Sequence, residues 1–219
     1  VTTTTGDPEG ELLATREVCT TRADIEAMLP RFMAEIQQVP PMHSALKHQG
    51  RPLYEYARAG IEIERPPRRV QIRALDLVEC ELPRVVLDVQ SSAGTYIRTL
   101  AQDIGAALGC GAHLTALTRV ASGGFRLEQA HALADLEALD AHQRHALLLP
   151  ADCLVAHLPA VQLDTADAEA LCQGRSIAHP TEHQGLARIY AAPHTFIGLA
   201  DANAGRLLPH RLVATQQAA

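Results

Sequence analysis

The chain has 219 residues, of which 47% are apolar, enough to build one large domain or a medium domain with a small appendage. It shows no charged-then-apolar leader and no apolar run long enough to cross a bilayer, and its five widely spaced cysteines are odd in number; together these point to free thiols in a reducing cytosol rather than to export, membrane insertion or a disulfide framework. The net charge of −6 counts against nucleic acid as a partner until its distribution along the chain is followed.

Val1–Gly10 is polar and β-branched and ends in a turn, and Glu11–Val18 reads as a short strand. Thr21 suits the N-cap of a helix over Arg22–Ile36, with Ile25, Leu29, Phe32 and Ile36 on one face and a kink at Pro30. Pro40 and Pro41 end it. Between Lys47 and Arg73 seven basic residues face only Glu55, Glu62 and Glu64, a local balance of +4. Such a face can hold phosphates, although on charge alone a solvated surface is the plainer reading. Pro52 opens a short helix through Arg58, and Arg69–Cys80 and Val85–Gln90 read as strands joined around Pro83.

Thr95–Leu108 is the clearest helix, with Ile97, Leu100, Ile104 and Leu108 as its apolar stripe and Gly109 as its stop. Ala112–Leu117 is expected to continue the core and Val120–Arg126 to form a strand, followed by helices over Leu133–Leu139 and Gln143–Leu148. A boundary follows Leu147–Pro150. Beyond it, strands at Val161–Leu163, Leu186–Tyr190, Phe196–Leu199 and Leu207–Val213 and a helix over Ala166–Cys172 make a small mixed unit.

Generic chemical motifs are scarce: there is no P-loop, dinucleotide fingerprint or nucleophile elbow. The pairs Cys110/His113, His142/His145 and His179/His183 do not complete a four-ligand set with structural-zinc spacing.

Two segments are more specific. One runs Gln38-Val-Pro-Pro-Met-His-Ser-Ala-Leu-Lys-His-Gln-Gly-Arg-Pro-Leu-Tyr-Glu-Tyr-Ala-Arg58; the other runs Ser91-Ser-Ala-Gly-Thr-Tyr-Ile-Arg98-Thr-Leu and on to Arg119. With the opening Thr2–Gly10 and the closing Gly205-Arg-Leu-Leu-Pro-His-Arg-Leu-Val, they resemble the tRNA pseudouridine-55 synthase (TruB) family, whose signatures include Q-x-P-P-x-x-S-A-x-K, Y-x-x-A-R and G-T-Y-I-R-x-L. The likeness runs nearly from residue 1 to Val213.

The resemblance implies an α+β fold: a pseudouridine-synthase domain with a mixed, largely antiparallel sheet flanked by helices over residues 1–155, and a small PUA-like RNA-binding domain over residues 156–219. It implies isomerisation of the T-loop uridine of tRNA to pseudouridine. That reaction needs neither cofactor nor metal, and the expected partner is the T-arm stem-loop, with no obligatory protein partner and a monomeric state. By motif position Arg98 is the arginine that holds the catalytic aspartate, Tyr96 lines the active site and Leu117 lines its apolar pocket. Lys47, Arg51, Tyr54 and Arg58 would face RNA backbone. Each has a plainer reading: a structural ion pair for Arg98, core packing for Tyr96 and Leu117, and helix packing for Tyr54.

Departures accompany the likeness. The family's G-x-L-D-P-x-A-x-G motif, which carries the nucleophilic aspartate, has no counterpart in these 219 residues. Asp7-Pro8 belongs instead to the later G-D-x-x-G turn, and Ala93 and His43 stand where a lysine and an aromatic are frequent. Arg98 is therefore expected to lack its counter-charge, with the chain loosened around Thr95–Arg98. The chain alone is expected to be inactive, and a module that holds tRNA without chemistry is the competing function.

Overall fold

A computed structural model describes residues 1–180, 183–192 and 194–213. The chain forms two compact units, Val1–Thr118 and Arg119–Ala219.

The first unit opens with a short hairpin, β1 (Thr2–Thr3) against β2 (Leu12–Ala14). Helix α1 (Arg22–Met28) follows. Thr21 caps it reciprocally, its hydroxyl accepting from the Asp24 N–H while the Asp24 carboxylate accepts from the Thr21 N–H. The helix does not reach Ile36 as the periodicity predicts. It tightens into a 3-10 turn over Leu29–Phe32 and gives way to strand β3 (Ala34–Gln38). Pro30 cannot supply the amide that a continuing α-helix needs, and Ala34 takes φ of +67°. The spacing misleads because Ile25, Leu29, Phe32 and Ile36 do share one apolar cluster, reached from two kinds of backbone.

A small hairpin, β4 (Lys47–His48) with β5 (Arg51–Pro52), leads into helix α2 (Leu53–Arg58). Then β6 (Arg68–Glu81) pairs antiparallel with β3 on one side and with β7 (Arg84–Ser91) on the other. Helix α3 (Ile97–Ala107) lays Leu100 and Ile104 into the cluster that Ile72 and Leu75 of β6 also fill. Gly105 lets α3 approach the backbone of Gly111 and Ala112, where any β-carbon would collide.

After α3 the core does not continue through Leu117 as expected. Residues 112–118 have no regular structure, and Leu117 is 61% exposed. The strand expected over Val120–Arg126 is a tight hairpin, β8 (Ala121–Ser122) and β9 (Phe125–Arg126), because Gly123 turns the chain at φ +60°.

In the second unit helices α4 (Leu133–Ala138) and α5 (Ala141–Ala146) and a 3-10 turn over Ala151–Val155 bury no residue fully. Beyond them lie β10 (Ala160–Leu163), α6 (Thr165–Cys172), β11 (Ile177–Ala178), β12 (Gly185–Ala191), β13 (Thr195–Asn203) and β14 (Arg206–Leu212). The strands form one mixed sheet in the order β10-β12-β13-β14-β11, parallel only between β10 and β12. Its core is Leu163, Leu171, Ile177, Ile189, Ile197 and Leu207, with Ala168, Ala187, Ala200 and Ala202 between them. The α+β class and the largely antiparallel sheets agree with the sequence reading.

Candidate active site

Arg98 is the second residue of α3 and the centre of the site. Its Nη1 donates to Asp7 Oδ2 at 2.6 Å and to the Thr5 carbonyl at 3.3 Å, and its Nη2 donates to the His43 carbonyl at 2.7 Å. The two side chains are largely shielded, at 26% exposure for Arg98 and 19% for Asp7. A counter-charge is therefore present within the chain, contrary to expectation. The Gly-Asp-Pro-Glu-Gly turn that looks idle in sequence folds back 91 residues to supply it. Three acceptors leave part of the five-donor guanidinium free for a further anion.

The turn is built to present Asp7. Gly6 sits at φ +74°, and a β-carbon there would press on the Gln102 side chain of α3. Asp7 Oδ1 accepts from the Thr5 hydroxyl at 2.5 Å and from the Glu9 N–H at 3.2 Å, while Thr3 donates to the Asp7 carbonyl at 2.7 Å. The Thr5 hydroxyl, and after it the hydrogen bond and charge of Arg98, hold the Asp7 carboxyl below its ordinary value of 3.8 against the opposing effect of burial.

Tyr96 is the N-cap residue of α3 and is part-buried. Its backbone, not its side chain, is gripped: the N–H donates to Gln38 Oε1 at 3.0 Å, and Gln38 Nε2 donates to the Tyr96 carbonyl at 3.3 Å. Leu117, on the exposed segment after α3, packs into no core.

The basic face is organised around α2. Arg51 lies over the Tyr56 ring at 4.8 Å and pairs with Glu55 at 2.8 Å, and Arg58 lies over the Tyr54 ring at 5.3 Å. Lys47, Arg51 and Arg58 are exposed or partly so, and Tyr54 is part-buried. Tyr56 also meets His48 edge-on, with ring centroids 5.9 Å apart. Arginines resting on aromatic faces offer cations and stacking surfaces together, the combination that single-stranded and looped nucleic acids engage.

Sequence reasoning singled out Arg98, Tyr96, Arg51 and Arg58, but not the pairing of Asp7 with Arg98, the ring of Tyr56 under Arg51, or the grip of Gln38 on Tyr96. For Asp7 the signal was its place in a Thr-rich turn with glycines on both sides; the partner's distance along the chain hid the pairing. Among the described residues no His/Cys/Asp/Glu group could hold a metal ion, and no helix is long and apolar enough to cross a membrane.

Comparison with known proteins identifies the family. Residues 1–97 match the TruB family pseudouridylate synthase N-terminal domain, residues 98–156 the tRNA pseudouridylate synthase B C-terminal domain, and residues 159–213 the pseudouridine synthase II TruB C-terminal domain. The tRNA pseudouridine synthase B of Thiobacillus denitrificans is 69% identical over 218 residues, covering all of this chain and 73% of the relative. That of Chromobacterium violaceum is 51% identical, covering 99% of this chain and 72% of the relative. In fold, the chain is similar to one in the crystal structure of a Cbf5-Nop10-Gar1 complex, with a TM-score of 0.68 at 24% identity over 88% of this chain and 62% of that one. The chain thus spans roughly three quarters of the curated relatives and under two thirds of that solved chain. On the extent and identity of these matches, the chain belongs to the TruB family of pseudouridine synthases.

Proposed function

We propose that this protein, joined to the part of the family's length that these residues do not span, isomerises the T-loop uridine at position 55 of tRNA to pseudouridine. The glycosidic N–C bond breaks, the base turns, and a C–C bond forms. Nothing is oxidised, reduced or hydrolysed, so the chemistry asks for a carboxylate, a means of holding it and a dry pocket rather than a cofactor.

In this reading Arg98 grips the nucleophilic aspartate with the donors that Asp7, Thr5 and His43 leave free, keeping it ionised and oriented. Tyr96 walls the pocket of the flipped base, Leu117 closes over it, and Lys47, Arg51, Tyr54 and Arg58 meet the backbone of the T-arm. Residues 1–155 serve the chemistry and residues 156–219 serve RNA binding, a division supported by the break between matched domains at residues 156 and 159. The observation that carries the proposal is the Arg98 guanidinium: shielded, anchored on three acceptors, with donors to spare.

A second reading has its own support. Because Asp7 already closes an ion pair with Arg98, the site stays ordered without the nucleophile, and these residues alone can hold tRNA without turnover. Two assays on tRNA separate the readings: binding, and formation of pseudouridine. The chain alone is expected to bind and not to convert, and the protein completed with the remaining segment of the Thiobacillus denitrificans relative is expected to do both. Failure of the completed protein to convert tRNA would overturn the proposal.

A further inference from the structure

We propose that Gln38 is the positioning residue of this site, setting the backbone of Tyr96 and, through it, the point from which Tyr96 and Arg98 leave α3. The proposal rests on the roles given to Tyr96 and Arg98 above.

Gln38 is 1% exposed, the one polar side chain among the largest fully buried ones of the described residues. Both ends of its carboxamide are spent on a single residue 58 positions away, accepting from the Tyr96 N–H and donating to the Tyr96 carbonyl. This is the pairing that a neighbouring strand would make. It comes from a side chain because β3 ends at Gln38, and Pro40 and Pro41 have no N–H with which to extend the ladder. A buried glutamine that merely satisfied itself could divide its bonds among any nearby groups; here they converge on the N-cap of α3.

That N-cap has no side-chain hydrogen bond of its own. The Tyr96 carbonyl already receives the Leu100 N–H at 3.0 Å, so the amide of Gln38 fixes the peptide on which the first helical turn is hung. On its other side Gln38 is held through its backbone, opposite Arg68 in the β3–β6 ladder. The residue therefore joins the sheet to the helix start two positions before Arg98. Catalytic geometry is sensitive at this scale, since a displacement of about 1 Å can cost on the order of a hundredfold in rate.

The test uses the protein completed as above and the chain as it stands. Gln38→Met keeps the buried volume and removes both hydrogen bonds. In the completed protein it is expected to lower kcat for pseudouridine formation by about 10- to 100-fold while KM for tRNA stays within about twofold, the pattern of lost transition-state geometry rather than lost binding. In the chain alone it is expected to speed exchange of the Tyr96 amide by at least about tenfold, as loss of a hydrogen bond of roughly 1.4 kcal/mol implies. Should Gln38→Met not fold, replacing the Tyr96 peptide N–H by an ester oxygen removes one of the two bonds and leaves the core untouched, with a smaller loss in kcat expected at constant KM. A folded Gln38→Met protein with unchanged kcat, a loss confined to KM, an ester that costs nothing, or unchanged Tyr96 exchange would each overturn the inference. Inactivity of the unsubstituted completed protein would instead overturn the proposed function, and the exchange measurement on the chain would still test the grip of Gln38 on the Tyr96 backbone.

Discussion

Replacing Asp7 by asparagine tests the ion pair at the centre of the site. Asparagine keeps the shape of the turn and, with its one oxygen at the Oδ1 position, an acceptor for the Thr5 hydroxyl and the Glu9 N–H, but toward Arg98 it presents an NH2 donor in place of the charged oxygen at 2.6 Å. Removing one partner of a fully buried pair costs about 3–5 kcal/mol, whereas exchanging a charged for a neutral acceptor costs about 1–2 kcal/mol. These side chains are about a fifth to a quarter exposed, so water offsets part of the fully buried cost and about 2 kcal/mol is expected. Read as local stability, this corresponds to roughly 30-fold faster hydrogen exchange in the first turns of α3 near neutral pH.

The pH dependence follows from the direction of the Asp7 shift. Its folded carboxyl ionises more readily than its unfolded one, so the stabilisation is fully present above the ordinary value of 3.8 and is lost as pH falls through the lower folded value. The gap between the unsubstituted and Asp7→Asn proteins should therefore close in acid, where the side chain at this position is neutral in both. Equal exchange rates in the α3 peptides at neutral pH, or a gap that persists undiminished in acid, would refute the assignment of Asp7 as the partner of Arg98.

Three further outcomes are expected. Affinity of the chain for a T-arm hairpin should fall with rising salt, and reversing Arg51 and Arg58 to Glu should flatten the log–log slope by about one for each phosphate no longer neutralised; an unchanged slope places the RNA surface elsewhere. Gly105→Ala should destabilise the first unit by about 1–3 kcal/mol, because its β-carbon meets backbone of Ala112 rather than a movable side chain, as urea unfolding followed by circular dichroism would show. Leu171→Ala should cost about 2–5 kcal/mol in the second unit, since Leu171 is wholly enclosed by its core; the same urea titration reads it.

Much of the fold was legible in the sequence because it is written in local signals. The Thr21 cap, the period of α3 and the alternation in β6 depend on neighbours within a few positions, and there only the extent of each element needed correction; the turn at Gly123, by contrast, lay inside a stretch that reads as a single strand. The failure at residues 29–36 has a different cause. Apolar residues there face one cluster at helical spacing, and only the backbone constraint at Pro30 and the left-handed Ala34 separate helix from strand. In the site, the arginine was visible through its motif, but its acceptors were not. Asp7, the His43 carbonyl and the amide of Gln38 meet α3 across 91, 55 and 58 residues, distances over which no periodicity reports.

The span between Asp7 and Arg98 also sets an order of events during synthesis. At about 5–20 residues per second, a ribosome needs about 5–18 s after making Asp7 to deliver the arginine that secures it. Through that interval the β1–β2 hairpin lacks its tie to α3, and two such short strands are by themselves too little to stay folded in water. The nascent chain thus carries Leu12 and Leu13, exposed even in the finished fold, on an unsecured segment until α3 emerges. In the second unit β12 pairs with β13 and β13 with β14, each with its immediate successor, so these strands can zip as they appear.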